Sequence, residues 1–161
     1  MKEDLRDLTE NLLTYGTKED LSVLKQVLTG LNDKIDKKHT SYTSALLNMN
    51  KDVKSASCVV KIPVSSTLHN SLGIVHGGMS ATLLDTAMGS LANHLAPEGM
   101  GAVTSQLNVH FLKPITGEEM TATASILHQG RKTMVVEASI KNPSGEIAAH
   151  GTGSFYLIKK K

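Results

Sequence analysis

Between residues 2 and 14 the apolar positions Leu5, Leu8, Leu12 and Leu13 fall at helical spacing, and Gly16 supplies a stop, so the first predicted element is a short amphipathic helix. Thr17-Lys18-Glu19-Asp20 has the form of a helix start closed by an acid. Leu21, Leu24, Val27, Leu28 and Leu31 then continue an apolar stripe until Gly30 loosens it, which predicts a helical hairpin over residues 1–38. Over residues 42–49 and 56–64, β-branched and alternating residues replace the helical period, and two strands are predicted. The period returns to helical over residues 77–95, where Met79, Leu83, Ala87, Met88, Leu91 and Leu95 form a broad stripe before Pro97 and Gly99 end it. Four more strand-like runs, at 102–112, 120–128, 133–141 and 147–158, are separated by turns at 114–117, 129–131 and 142–145. Two strands, one long helix and four strands specify an α+β arrangement over residues 39–161, an antiparallel sheet wrapped around one long helix.

Composition narrows the class. A chain of 161 residues that is 40% hydrophobic can bury one core and is too short for two. The net charge of +2 is unevenly spread: residues 1–36 carry five basic and eight acidic side chains, leaving twelve and seven in the remainder. The acidic hairpin is unsuited to reading DNA and is taken as a packing or oligomerisation appendage. The modest positive excess of the main domain suits a phosphorylated small molecule rather than nucleic acid. A charged amino terminus and the lack of any apolar run near ~18 residues predict no signal peptide, no membrane partner and a cytoplasmic setting. The single Cys58, in Ser57-Cys58-Val59-Val60, rules out a disulfide framework within one chain and is read as a buried structural thiol. His39, His69, His94, His128 and His150 lack metal-ligand spacing, and His110 alternates within a strand, so no metal is expected.

Candidate chemistry gathers in Asn70-Ser71-Leu72-Gly73-Ile74-Val75-His76-Gly77-Gly78 and in Asp85. Gly77 and Gly78 at a helix start present N–H groups without intrahelical partners, where the positive end of the helix stabilises a carbonyl oxygen gaining charge. Tight helix–sheet packing is the other reason to place glycine there. Asp85 stands in Thr82-Leu83-Leu84-Asp85-Thr86-Ala87-Met88, where burial would raise its pKa and its reactivity toward an ester or thioester carbonyl, unless it lies on the helix's wet face. His76 is either a loop cap or a group that orients Asn70 or a substrate carbonyl.

The run Asn70-x-x-Gly73-x-x-His76-Gly77-Gly78, with Asp85 seven residues beyond, resembles the phenylacetate-type branch of the hotdog acyl-CoA thioesterases. The resemblance extends through Val103-Thr104-Ser105-Gln106-Leu107-Asn108-Val109-His110-Phe111, Pro114, Gln129-Gly130-Arg131-Lys132-Thr133 and Gly151-Thr152-Gly153-Ser154-Phe155, and so covers about residues 42–158. It implies a hotdog fold that hydrolyses an acyl-CoA thioester to free acid and coenzyme A, with coenzyme A part of the substrate and no separate cofactor. Asp85 would be nucleophile or general base, the Gly77 amide would polarise the carbonyl, and Asn70, His76 and Thr104 would position substrate or water. Substrate and coenzyme A would also meet Gly78, Phe111 and the turn of His128, Gln129, Gly130, Arg131, Lys132 and Thr133, whose cations fit phosphates.

Gly77 and Asp85 are eight residues apart on one helix, about 12 Å along its axis and turned by about 80°, so they cannot serve one carbonyl carbon from one chain. Two such helices antiparallel across a two-fold axis bring them together, which predicts a homo-oligomer, dimer or tetramer, with the strand at 102–111 free to pair with its copy. Met79, Leu83 and Met88 are expected to line the acyl pocket. Two other functions remain on the same scaffold: a non-catalytic acyl-CoA sensor, and an enoyl thioester hydratase working through His76 and Asp85.

Overall fold

The computed structural model describes residues 1–160 and resolves into two compact units, each described on its own. One comprises residues 1–49 with Ser65–Thr67. Its first helix, α1 (Lys2–Tyr15), ends where the Gly16 N–H donates to the Leu12 carbonyl. The second, α2 (Lys18–Ile35), starts at a complete capping box: Thr17 Oγ1 accepts from the Asp20 N–H at 3.2 Å, and Asp20 Oδ2 accepts from the Thr17 N–H at 2.9 Å. The Thr17 hydroxyl and N–H hold the Asp20 carboxyl below the usual carboxylate range.

One expectation for this unit is corrected, in the segment that follows α2. That helix runs through Gly30 to Ile35, inside the predicted hairpin, and Gly30 is a contact point. A Cβ there would stand 2.1 Å from the Ala45 carbonyl oxygen, so glycine lets the following segment lie against the helix. That segment is the short helix α3 (Tyr42–Leu46) in place of the strand expected over residues 42–49. Ser41 caps it by accepting from the Ser44 N–H at 3.1 Å, and one helical turn buries Ser44 and Ala45 side by side. Apolar and hydroxyl residues in a run this short fit either period, and the cap decides.

The other unit contains residues 50–64 and the chain from Leu68 onward. Its elements are β1 (Asn50–Val53), β2 (Ser57–Pro63), α4 (Gly77–Leu95), β3 (Met100–Phe111), β4 (Glu119–Gln129), β5 (Thr133–Lys141) and β6 (Ile147–Lys159). The six strands form one antiparallel sheet in the order β1-β2-β4-β5-β6-β3. Strand β1 is absent from the sequence pattern: Asn50-Lys51-Asp52-Val53 is exposed throughout and carries no apolar alternation. The helix lays Leu83, Leu84, Ala87, Met88, Leu91 and Ala92, all fully buried, on the sheet. Alternate residues of β2, β4 and β5, among them Val60, Ile62, Ala122, Ala124, Val136 and Ile140, meet it from below. This is the expected antiparallel sheet around one long helix. Cys58 lies within this core, and burial pushes its thiol pKa up.

Strand β3 forms one margin of the sheet. Along its 12 residues one edge pairs with β6 while the other carries no strand among the described residues, and Val103, Leu107 and Phe111 of this strand are exposed. Among the described residues no helix is long and apolar enough to cross a membrane.

Candidate active site

Helix α4 begins at Gly77 because His76 caps it from extended backbone: its Nδ1 accepts from the Gly78 N–H at 2.8 Å. Accepting at Nδ1 puts the proton of the neutral ring on Nε2. The preceding loop is shaped by Asn70, whose Oδ1 accepts from the Leu72 N–H at 2.9 Å and the Ile74 N–H at 3.4 Å, while Gly73 takes φ +72° to close the turn. His76 and Asn70 therefore each shape the backbone, and no hydrogen bond joins them, against the expectation that His76 could orient Asn70. With the Gly78 N–H engaged, the Gly77 N–H is the helix-start donor left to face a ligand. The Phe111 ring lies over Gly77, where a Cβ would meet Cε1 and Cζ at 3.4 Å. Asn70, Gly77, Ser80 and Phe111 share the lining of a cleft of about 330 Å³.

Asp85 is two turns further along the same helix and half-buried, so its own chain covers it less than its apolar neighbours suggested. Thr104 Oγ1, on β3, donates to Asp85 Oδ1 at 2.8 Å. A hydroxyl donating to a carboxylate oxygen is among the stronger hydrogen bonds and fixes the side chain's orientation. The strand is displaced directly after Thr104 by a bulge, which Ser105 secures by donating from Oγ to the Ser154 carbonyl at 3.0 Å. The pair opens on a second cleft, of about 660 Å³, lined also by Thr86, Gly89, Ser90 and Asn93.

Those four residues were missed from sequence, although the signal was present: small or polar residues recur at 85, 86, 89, 90 and 93, one face of the helix opposite its apolar stripe. The expected acyl-pocket residues Leu83 and Met88 are instead fully buried against the sheet and line neither cleft. An apolar stripe on a central helix builds the core first.

The turn joining β4 to β5 stands beyond the other end of α4. The Gly130 N–H donates to the Thr133 carbonyl at 2.8 Å, and Gln129 Nε2 donates to the Leu95 carbonyl at 3.2 Å, tying the turn to the helix's last residue. His128, Arg131, Lys132 and Thr133 are exposed, and no ion pair is made by Arg131 or Lys132 among the described residues. The candidates thus form three groups along α4. Asn70, His76, Gly77, Gly78 and Phe111 lie at its start, Asp85 with Thr104 in its middle, and the basic turn at its end.

Residues 72–149, which hold most of these groups, match the family model described as Thioesterase superfamily. The acyl-coenzyme A thioesterase PaaI of Escherichia coli is 34% identical over 101 residues, 62% of this chain and 70% of that protein. Mouse acyl-coenzyme A thioesterase 13 is 31% identical over 62% of this chain and 71% of its own length. Among solved structures, a Bacillus halodurans protein crystallised with CoA superposes with a TM-score of 0.87 at 39% identity, covering 94% of this chain and 99% of its own. That coverage reaches well into residues 1–49. Fold, family model and relatives agree: the chain belongs to the thioesterase superfamily, as a thioester hydrolase of the hotdog type.

Proposed function

We propose that the protein hydrolyses an acyl-CoA thioester to free acid and coenzyme A at a site built from two copies of the chain. One copy supplies Asp85 with Thr104, and the other supplies the Gly77 N–H with Asn70, His76 and Phe111. The observation that carries this reading is the oriented Asp85–Thr104 pair in one cleft and Gly77 in another, eight residues or about 12 Å apart on one helix. An oxyanion donor must stand about 3 Å from the oxygen it stabilises, so one chain's carboxylate needs another chain's donor. Antiparallel pairing of two α4 helices about a two-fold axis meets that requirement, and the unpaired edge of β3 is free to pair with its copy.

In the reaction, Asp85 either takes a proton from the water that attacks the acyl carbon or attacks that carbon itself, forming a mixed anhydride that water then cleaves to regenerate the carboxylate. The Gly77 N–H stabilises the charge arriving on the carbonyl oxygen, the C–S bond breaks, and the coenzyme A thiolate leaves and is protonated. Water's oxygen ends in the free acid. Release of free thiol from a panel of aryl-, phenylacetyl- and medium-chain acyl-CoA esters tests this, and buried Cys58 adds no signal of its own. Turnover is expected on at least one ester. Tight binding across the panel with no thiol released would make the protein a sensor.

The exposed Arg131 and Lys132 are proposed to meet the coenzyme A phosphates, supported by the crystallisation of the Bacillus halodurans relative with CoA. Replacing both by alanine is expected to raise KM by about tenfold with kcat unchanged, since phosphate contacts far from the carbonyl bind ground and transition states alike. An unchanged KM would remove the turn from the site.

A further inference from the structure

We infer that Asn93 is a positioning residue for hydrolysis, acting through Thr104 on Asp85; the inference rests on the reading of Asp85 and Thr104 as the hydrolytic pair. The Asn93 side chain lies on α4 two turns beyond Asp85 and uses its whole carboxamide on backbone. Nδ2 donates to the Gly89 carbonyl at 2.9 Å and to the Ala102 carbonyl at 3.0 Å, while Oδ1 accepts from the Ala102 N–H at 3.0 Å. It therefore occupies both polar groups of Ala102, as a neighbouring strand would. Ala102 stands opposite Leu157 of β6, whose N–H donates to the Lys132 carbonyl instead, so the groups Asn93 takes are those the sheet leaves free.

Two residues on from Ala102, on the same face of β3, is Thr104. The strand is thus pinned on both sides of the hydroxyl: Asn93 joins it to the helix just before, and the Ser105 bulge joins it to β6 just after. Both Asp85 and Asn93 belong to α4, so the clamp sets the distance between the carboxylate's helix and the hydroxyl's strand. A shift of the strand by an ångström would carry Oγ1 out of hydrogen-bond reach of Oδ1. Capping cannot explain the clamp, since Asn93 lies two residues inside the helix end and bonds across to another element.

A double-mutant cycle tests this on the full-length protein. Thr104→Val should lower kcat by about 10- to 100-fold, the loss expected when a hydrogen bond to a charged group is removed. Asn93→Ala should lower kcat by a similar factor with KM within twofold, but should cost little more once Thr104→Val is already in place. Asn93→Asp, which keeps size and the acceptor while losing both donors, gives the same comparison if the alanine variant unfolds. Equal losses from Asn93 replacement in the wild-type and Thr104→Val backgrounds would overturn the positioning role and leave the hydrolytic pair standing. No loss from Thr104→Val would overturn both.

Discussion

Asp85→Asn is expected to lower kcat by about 10²- to 10⁴-fold, the range contributed by a positioned base, while the protein remains folded and associated. The substitution is nearly isosteric, and the carboxamide oxygen can still accept from Thr104 Oγ1, so the link between α4 and β3 survives. The side chain is half-buried and outside the core stripe of Leu83, Leu84, Ala87 and Met88, so packing is not disturbed. What disappears is the charge: an amide neither attacks a thioester nor takes a proton from water. Steady-state thiol release at saturating substrate, with sedimentation to follow assembly, measures both halves of the expectation. A folded, assembled variant with undiminished turnover would show that the carboxylate serves structure alone.

The second large effect comes from mixing two inactive proteins. Proline is well tolerated at the first helical position and deletes the N–H, which makes Gly77→Pro a test of the donor rather than of the helix. His76 already has the extended conformation (φ −64°, ψ 134°) that a following proline demands, and a Cβ at position 77 meets the Phe111 ring at 3.4 Å without clash. Alone, this variant is expected to lose about 10²- to 10³-fold in kcat, as other enzymes do on losing one oxyanion donor. Mixed one to one with Asp85→Asn and allowed to exchange, half of the dimers are heterodimers. One site in each has both groups intact, so about a quarter of wild-type activity returns. Exchange verified by mass without any return of activity would mean that each chain works alone.

The sheet and its helix were legible in the sequence because period-2 and period-3.6 patterns are strong in long, half-buried elements such as β4, β5, β6 and α4. The strand expected where α3 stands and the unexpected β1 follow one another in the sequence and share one cause. Both are short, and local caps and strand pairing decide them, neither of which leaves a periodic trace. At the site, Asp85, Gly77 and Thr104 were found through a motif, and the contact between Asp85 and Thr104 joins residues nineteen apart in sequence. Asn93 was invisible for a different reason. A lone asparagine near a helix end looks like any surface residue until the strand whose backbone it grips is in place.

The bare side of β3 also bears on how the protein behaves in dilute solution. On the two-chain reading, a solitary chain exposes a twelve-residue strand margin with Val103, Leu107 and Phe111 on show, and it holds only half of each site. Association then ends a sticking hazard and completes the chemistry in one event. Below the dissociation constant, activity follows the second power of chain concentration, so a twofold change in expression is felt about fourfold in flux.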